Sequence, residues 1–100
     1  MPRKPPVSVV VPWSNRRAIG EALGGNAAWL RSTGAQLLIV NCSGDRAALA
    51  SSIPEGLPGS AKIVHIAAKA FNKSLALNLG AFHARSDVLL FLDADVVLSV

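Results

Sequence analysis

Val88-Leu89-Leu90-Phe91-Leu92-Asp93-Ala94-Asp95 is the stretch on which the reading of this chain turns. An unbroken apolar run from Val88 to Leu92 reads as a strand buried on both faces, as in a parallel sheet. Two carboxylates one residue apart follow at its end. Such a pair is a hard-oxygen, negatively charged site that suits Mg²⁺ or Mn²⁺. Few protein carboxylates are needed when a substrate diphosphate and waters complete the octahedron. A metal held there would neutralise charge on a departing nucleoside diphosphate. Acidic residues also simply end strands and open turns, and short motifs recur by chance. The motif therefore needs the rest of the chain behind it.

Upstream, the same kind of strand recurs. Val7-Ser8-Val9-Val10-Val11 is β-branched and closed by Pro12, with Trp13-Ser14-Asn15 as a turn. Gln36 to Val40 and Lys62 to Ile66 are the second and third strands. Between them, Ile19, Leu23, Ala27 and Leu30 recur at helical spacing from Arg16 to about Arg31, with Ser14 or Asn15 as candidate cap. Gly20 and the Gly24-Gly25 pair weaken that helix or break it in the middle. A short helix follows from Arg46 to Ile53, and the loop from Glu55 to Ser60 holds two glycines and a proline. A helix from about Asn72 to Ala84 sets Leu75, Leu79 and Phe82 on one face. This alternation predicts a three-layer α/β sandwich with a mainly parallel sheet. Right-handed crossovers bring the C-terminal strand ends to one edge, where open α/β sheets bind ligands. The turns after Val11, Val40 and Leu92 are expected to meet there.

Composition excludes several other classes. The 100 residues are 51% hydrophobic and 16% charged, which a disordered tail is not. They allow one small domain spanning residues 1–100, with a single core. The net charge of +4 suits a phosphate-bearing substrate. Arg3, Lys4, Arg16 and Arg17 crowd the N-terminus, but no basic run interleaves with aromatics, so no nucleic-acid partner is expected. No apolar stretch approaches the ~20 residues of a membrane span. The apolar run before Pro12 falls short of the roughly 7–15 residues of a signal peptide's apolar core. With the single cysteine, Cys42, these features lead to an expected cytoplasmic location.

The helix before the last strand supplies the second segment, Lys73-Ser74-Leu75-Ala76-Leu77-Asn78-Leu79-Gly80. Together with Val9-Val10-Val11-Pro12-Trp13-Ser14-Asn15 and Phe91-Leu92-Asp93-Ala94-Asp95, it resembles the N-terminal half of family 2 glycosyltransferases. The likeness is to members with Lys-x-x-Ala-Leu-Asn-x-Gly, such as chondroitin- and cellulose-type polymerases. The order and spacing of the three segments match over nearly the whole chain. The resemblance implies a Rossmann-like GT-A fold, a UDP- or GDP-sugar donor, and Mn²⁺ or Mg²⁺. It implies a Pro12-Trp13-Ser14 backbone along the nucleobase and Lys73 near the base or the diphosphate. Asp93 would face the ribose or the metal, and Asp95 would be the principal metal ligand. Where the family usually has Asp-Asp-Gly-Ser, this chain has Asn41-Cys42-Ser43-Gly44-Asp45. Asn41 can offer a base edge both a donor and an acceptor, and Asp45 stands further along the turn as a substitute. Whether the base is uracil or guanine stays open. Trp13 has two readings, stacking on a base or packing in the core.

Other residues read as structural. Cys42 is a small turn residue, His65 and His83 lack ligand spacing, Trp29 is core, and Asn78 and Gly80 serve packing. The family's acceptor site and catalytic base lie after the Asp-x-Asp strand, and Val100 follows soon after Asp95. A truncated donor domain is therefore expected, with a homodimer covering the apolar surface left open. Two rivals stand beside this reading. One is another Mg²⁺-dependent phosphate-transfer enzyme, although aspartyl-nucleophile enzymes carry the motif on their first strand. The other is a non-catalytic nucleotide-binding or assembly module.

Overall fold

The runs Val9-Val10-Val11 and Leu37-Leu38-Ile39-Val40 favour the enclosed, pleated surface of a sheet. In the computed structural model, which describes residues 4–59 and 61–98, they lie side by side at its centre. They form β1 (Ser8–Trp13) and β2 (Gln36–Cys42), and every residue of both strands is buried. β3 (Lys62–Ile66) pairs with β2, and β4 (Leu89–Phe91) pairs with β1. All pairings are parallel, and the strand order is β3-β2-β1-β4. Val10 stands opposite Leu38 on one side and Phe91 on the other.

Helices α1 (Ile19–Ser32) and α2 (Arg46–Ser52) cover one face of the sheet. There Ile19, Leu23, Leu30 and Leu49 pack with Val9, Val11, Leu37 and Ile39. Helix α3 (Lys73–His83) covers the other face, where Ala76 meets Val10, Leu38 and Val40. Full burial of each large aliphatic side chain contributes about 1.5–3 kcal/mol, so β1 and β2 form the rigid floor of the molecule. The predicted three-layer α/β sandwich is present. Its opposite, N-terminal strand edge is closed by buried polar contacts. Ser8 Oγ donates to Gln36 Oε1 at 2.7 Å and accepts from Ser86 N–H at 3.1 Å.

Several local expectations change. Pro12 does not close β1, which runs on through Trp13. Ser8 N–H donates to Val88 O, and Leu92 N–H donates to Val10 O, so the even residues of β1 face β4. That ladder has ended by residue 12, and the N–H that proline lacks costs no bond there. Helix α1 starts at Ile19 rather than Arg16, with Ala18 as an N-cap that makes no side-chain bond. Asn15 instead adopts a φ of 56° in the turn. The glycines do not interrupt α1. A Cβ on Gly25 would come within 2.8 Å of Val97 Cγ2, so the helix interior gives up propensity (about 1 kcal/mol) for a close approach.

Further changes concern α3. Its buried positions are Ala76 and Gly80, while Phe82 is 81% exposed and Leu75 37%. A Cβ on Gly80 would collide with Val10 Cγ1. The small residues thus let the helix lie close on β1, while Leu75 and Phe82 turn outward. Gly80 packs as expected, but Asn78 is exposed. Leu89 and Phe91 share the α3 side of the sheet with Val10, beyond the helix, and are 38% and 49% exposed. Among the described residues, no helix is long and apolar enough to cross a membrane.

Candidate functional site

The crossovers from β1 to β2 and from β2 to β3 run in one direction across the sheet, whereas the chain enters β4 on the far side of β1. The crevice outside the C-terminal ends of β1 and β4 is therefore the topological switch point, where such sheets bind ligands. A cleft of about 260 Å³ opens there. One wall is the end of β1 and its turn, Pro12, Ser14 and Arg16. The second is the entry to α3, Phe71 and Lys73, and the third is Asp93-Ala94-Asp95 after β4.

Local sequence explains why the carboxylates face outward. Leu92 and Ala94 are 6% and 5% exposed and pack into the cluster beneath α1 and α2. With 92 and 94 anchored inward, the intervening Asp93 and the following Asp95 project into the cleft, their side chains 56% and 51% exposed. The turn is closed by Val96 N–H donating to Asp93 O at 3.1 Å. Each carboxylate faces one cation. Lys73 Nζ donates to Asp93 Oδ1 at 2.9 Å, and Arg16 Nη1 lies 3.8 Å from Asp95 Oδ2. Exposed pairs of this kind contribute only about 0.2–1 kcal/mol, so they organise the cleft more than they stabilise the fold. Lys73 opens α3 behind its N-cap Asn72, whose Oδ1 accepts from Leu75 N–H at 3.0 Å. Cys42, buried at the end of β2, supports that entry by accepting the Asn72 N–H on Sγ at 3.4 Å.

Of the residues singled out in the sequence, the cleft gathers Pro12, Ser14, Lys73, Asp93 and Asp95. Trp13 is not on the cleft surface. Its ring is 2% exposed within the core cluster, and Nε1 donates to Arg16 O at 2.9 Å, so of its two readings the structure takes core packing. Asn41 is also buried, at 2% exposed. Its Oδ1 accepts from Gly44 N–H at 2.8 Å, and its Nδ2 donates to Gly44 O at 3.1 Å and lies 3.0 Å from His65 Nδ1. The amide is spent closing its own turn. Asp45 caps α2, accepting from Ala48 N–H at 3.0 Å, and does not line the cleft. The second turn meets the first through the bond from Asp45 N–H to Asn15 Oδ1, at 2.8 Å.

Two cleft residues, Arg16 and Phe71, escaped the sequence reading. The helical spacing assigns Arg16 to the helix, but α1 starts at Ile19 and leaves Arg16 in the turn at the ligand-binding edge. Phe71 is a lone aromatic in Ala67-Ala68-Lys69-Ala70-Phe71, directly before the cap of α3.

The donor set fits a hard divalent cation that takes most of its coordination from elsewhere. It offers two half-exposed carboxylates, and among the described residues no group of three or more His, Cys, Asp or Glu side chains converges. One or two carboxylates plus phosphates and waters is the usual Mg²⁺-type arrangement.

No family model matches the sequence, and no curated protein matches it. Among solved structures, the chain is similar to the mannosyltransferase PcManGT from Pyrobaculum calidifontis in complex with GDP-Man and Mn²⁺. The TM-score is 0.68 at 20% identity, and the match covers 98% of this chain and 30% of that one. The chain thus spans less than a third of that protein's length. At this identity the likeness speaks for the fold, and the chain has a glycosyltransferase-like α/β fold with an all-parallel four-stranded sheet.

Proposed function

We propose that this chain is the donor-binding half of a family 2 glycosyltransferase, holding a nucleoside-diphosphate sugar through Mn²⁺ or Mg²⁺. The observation that carries this reading is the pairing of two outward carboxylates with two cations in a cleft at the switch point of the sheet. The fold likeness to a GDP-sugar enzyme points the same way. Asp95 is assigned as principal metal ligand, and Asp93 as a second ligand or ribose partner. Lys73 and Arg16 bind the diphosphate, each as a charged donor to phosphate oxygen. Pro12 and Ser14 flank the base at the end of β1.

A bound divalent cation would stabilise the charge left on the nucleoside diphosphate as the sugar departs. The chain's own groups do the remaining donor-side work. The two cations orient the diphosphate, Pro12 and Phe71 offer apolar walls, and the buried Ala94 fixes the spacing of the carboxylates. Chemistry at an acceptor requires a base, which this reading places in polypeptide beyond the Asp-x-Asp turn. The reading also includes a homodimer.

Titration with GDP and with UDP, each with and without Mn²⁺, tests it. Binding is expected only with metal and is expected to fall at least about tenfold in Asp95→Ala, the loss of a charge-assisted contact. If neither nucleotide binds at any Mn²⁺ concentration, the reading is wrong.

A further inference from the structure

The four charges of the cleft sum to zero, and their pairing has a consequence for the order of binding. Arg16 sits 3.8 Å from Asp95, and Lys73 sits 2.9 Å from Asp93. A divalent cation on Asp95 would compete with the Arg16 guanidinium for that carboxylate, and one on Asp93 with the Lys73 ammonium, and like charges at short range repel. Both cations are on long stems with exposed heads, Arg16 at 69% and Lys73 at 54%. They can swing away, but moving them into water forfeits two ion pairs. A diphosphate in the same cleft removes that difficulty by offering each cation a phosphate oxygen.

The base of Arg16 is held while its head is free. Its carbonyl accepts from the buried Trp13 indole at 2.9 Å. The preceding residue, Asn15, is tied to Asp45 N–H at 2.8 Å. The guanidinium therefore pivots from a fixed point between the carboxylate and the space in front of it.

We propose that Arg16, seconded by Lys73, is a resident counter-cation that holds the carboxylates in the absence of metal and transfers to the diphosphate when metal binds. Metal and nucleoside diphosphate then bind as a positively coupled pair, and Arg16 is the residue that couples them. This rests on the nucleotide-binding reading above and adds a sign that reading does not contain. Removing Arg16 should strengthen one ligand and weaken the other.

The test uses the full chain and Arg16→Gln, with Mn²⁺ alone followed by paramagnetic resonance, and with GDP and UDP in saturating Mn²⁺ followed by calorimetry. Arg16→Gln is expected to bind Mn²⁺ alone about two- to fivefold more tightly, the scale of one exposed ion pair. It is expected to bind whichever nucleotide the wild type binds about tenfold or more weakly, the scale of a lost charged hydrogen bond. The factor by which nucleotide raises Mn²⁺ affinity must shrink correspondingly, since coupling is reciprocal. Arg16→Lys, which keeps the charge, is expected to leave Mn²⁺ affinity near wild type and guards against a folding artefact. If the wild type binds nucleotide but Arg16→Gln leaves the coupling unchanged, or weakens both ligands together, this proposal falls and the nucleotide-binding reading stands. If the wild type binds neither nucleotide with Mn²⁺, both fall.

Discussion

The side-chain amide of Asn26 is 1% exposed and has all of its bonding capacity engaged. Nδ2 donates to Ala22 O and Val96 O, both at 2.8 Å. Oδ1 accepts from Trp29 Nε1–H at 2.8 Å and Leu98 N–H at 2.9 Å. Two of these bonds fasten the segment that directly follows Asp95, so Asn26 holds the acidic turn without touching the cleft. Asn26→Leu would leave several buried donors and acceptors without partners, at a cost of about 2–4 kcal/mol. Urea denaturation should show that loss, and wild-type stability in the variant would refute it. Nothing near Asn26 in the sequence marks it, because the two bonds that fasten the acidic turn go to Val96 and Leu98, some seventy residues away. Asp93, Asp95 and Lys73 were legible, since their strand and helix context is local. Trp13 and Asn41 sit in the expected turns, but only tertiary packing decides that they point inward.

At the scale of elements, all four strands and three helices were legible from apolar runs and their spacing. What the sequence hid was the rotation of α3 and the ends of β1 and α1. Leu75, Leu79 and Phe82 form the more hydrophobic stripe, yet the helix rests on Ala76 and Gly80, because proximity to β1 favours small residues over large ones there. Periodicity reports which side chains are apolar, not how close a neighbour stands. Gly80→Ala is the corresponding test. Alanine normally gains about 1 kcal/mol over glycine inside a helix, but here its Cβ would meet Val10 Cγ1. Net destabilisation of about 1–3 kcal/mol is expected from such overpacking, measured by thermal unfolding. A variant more stable than wild type would show that α3 has room to spare. Because Lys73 begins the same helix, a displaced α3 should also weaken nucleotide binding.

Across the whole molecule, apolar surface concentrates on the α3 side of the β4 edge. Phe82, Leu89 and Phe91 are 81%, 38% and 49% exposed, and β4 is an edge strand in the sheet. Exposed edges and apolar faces invite pairing, so the 100-residue chain is expected to self-associate. Sedimentation at roughly tens of micromolar should show a dimer or larger species, and Phe82→Ser with Phe91→Ser should shift it towards monomer, in line with the apolar area removed. A monomeric wild type would remove the homodimer from the reading.

The position of β4 also governs when the cleft can exist during folding. β1 pairs on its outer side with a strand far from it in sequence, Ser8 standing opposite Leu89. The Ser86–Ser8 bond spans 78 residues, and the Asn26–Val96 bond spans 70. Contacts of such separation are slow to close, because the loop entropy is lost before any pairing rewards it. β1, α1 and β2 can assemble from neighbouring sequence, whereas Asp93 and Asp95 reach Arg16 only after a long loop has shut. Affinity for a divalent cation should accordingly be among the last properties that a refolding chain acquires.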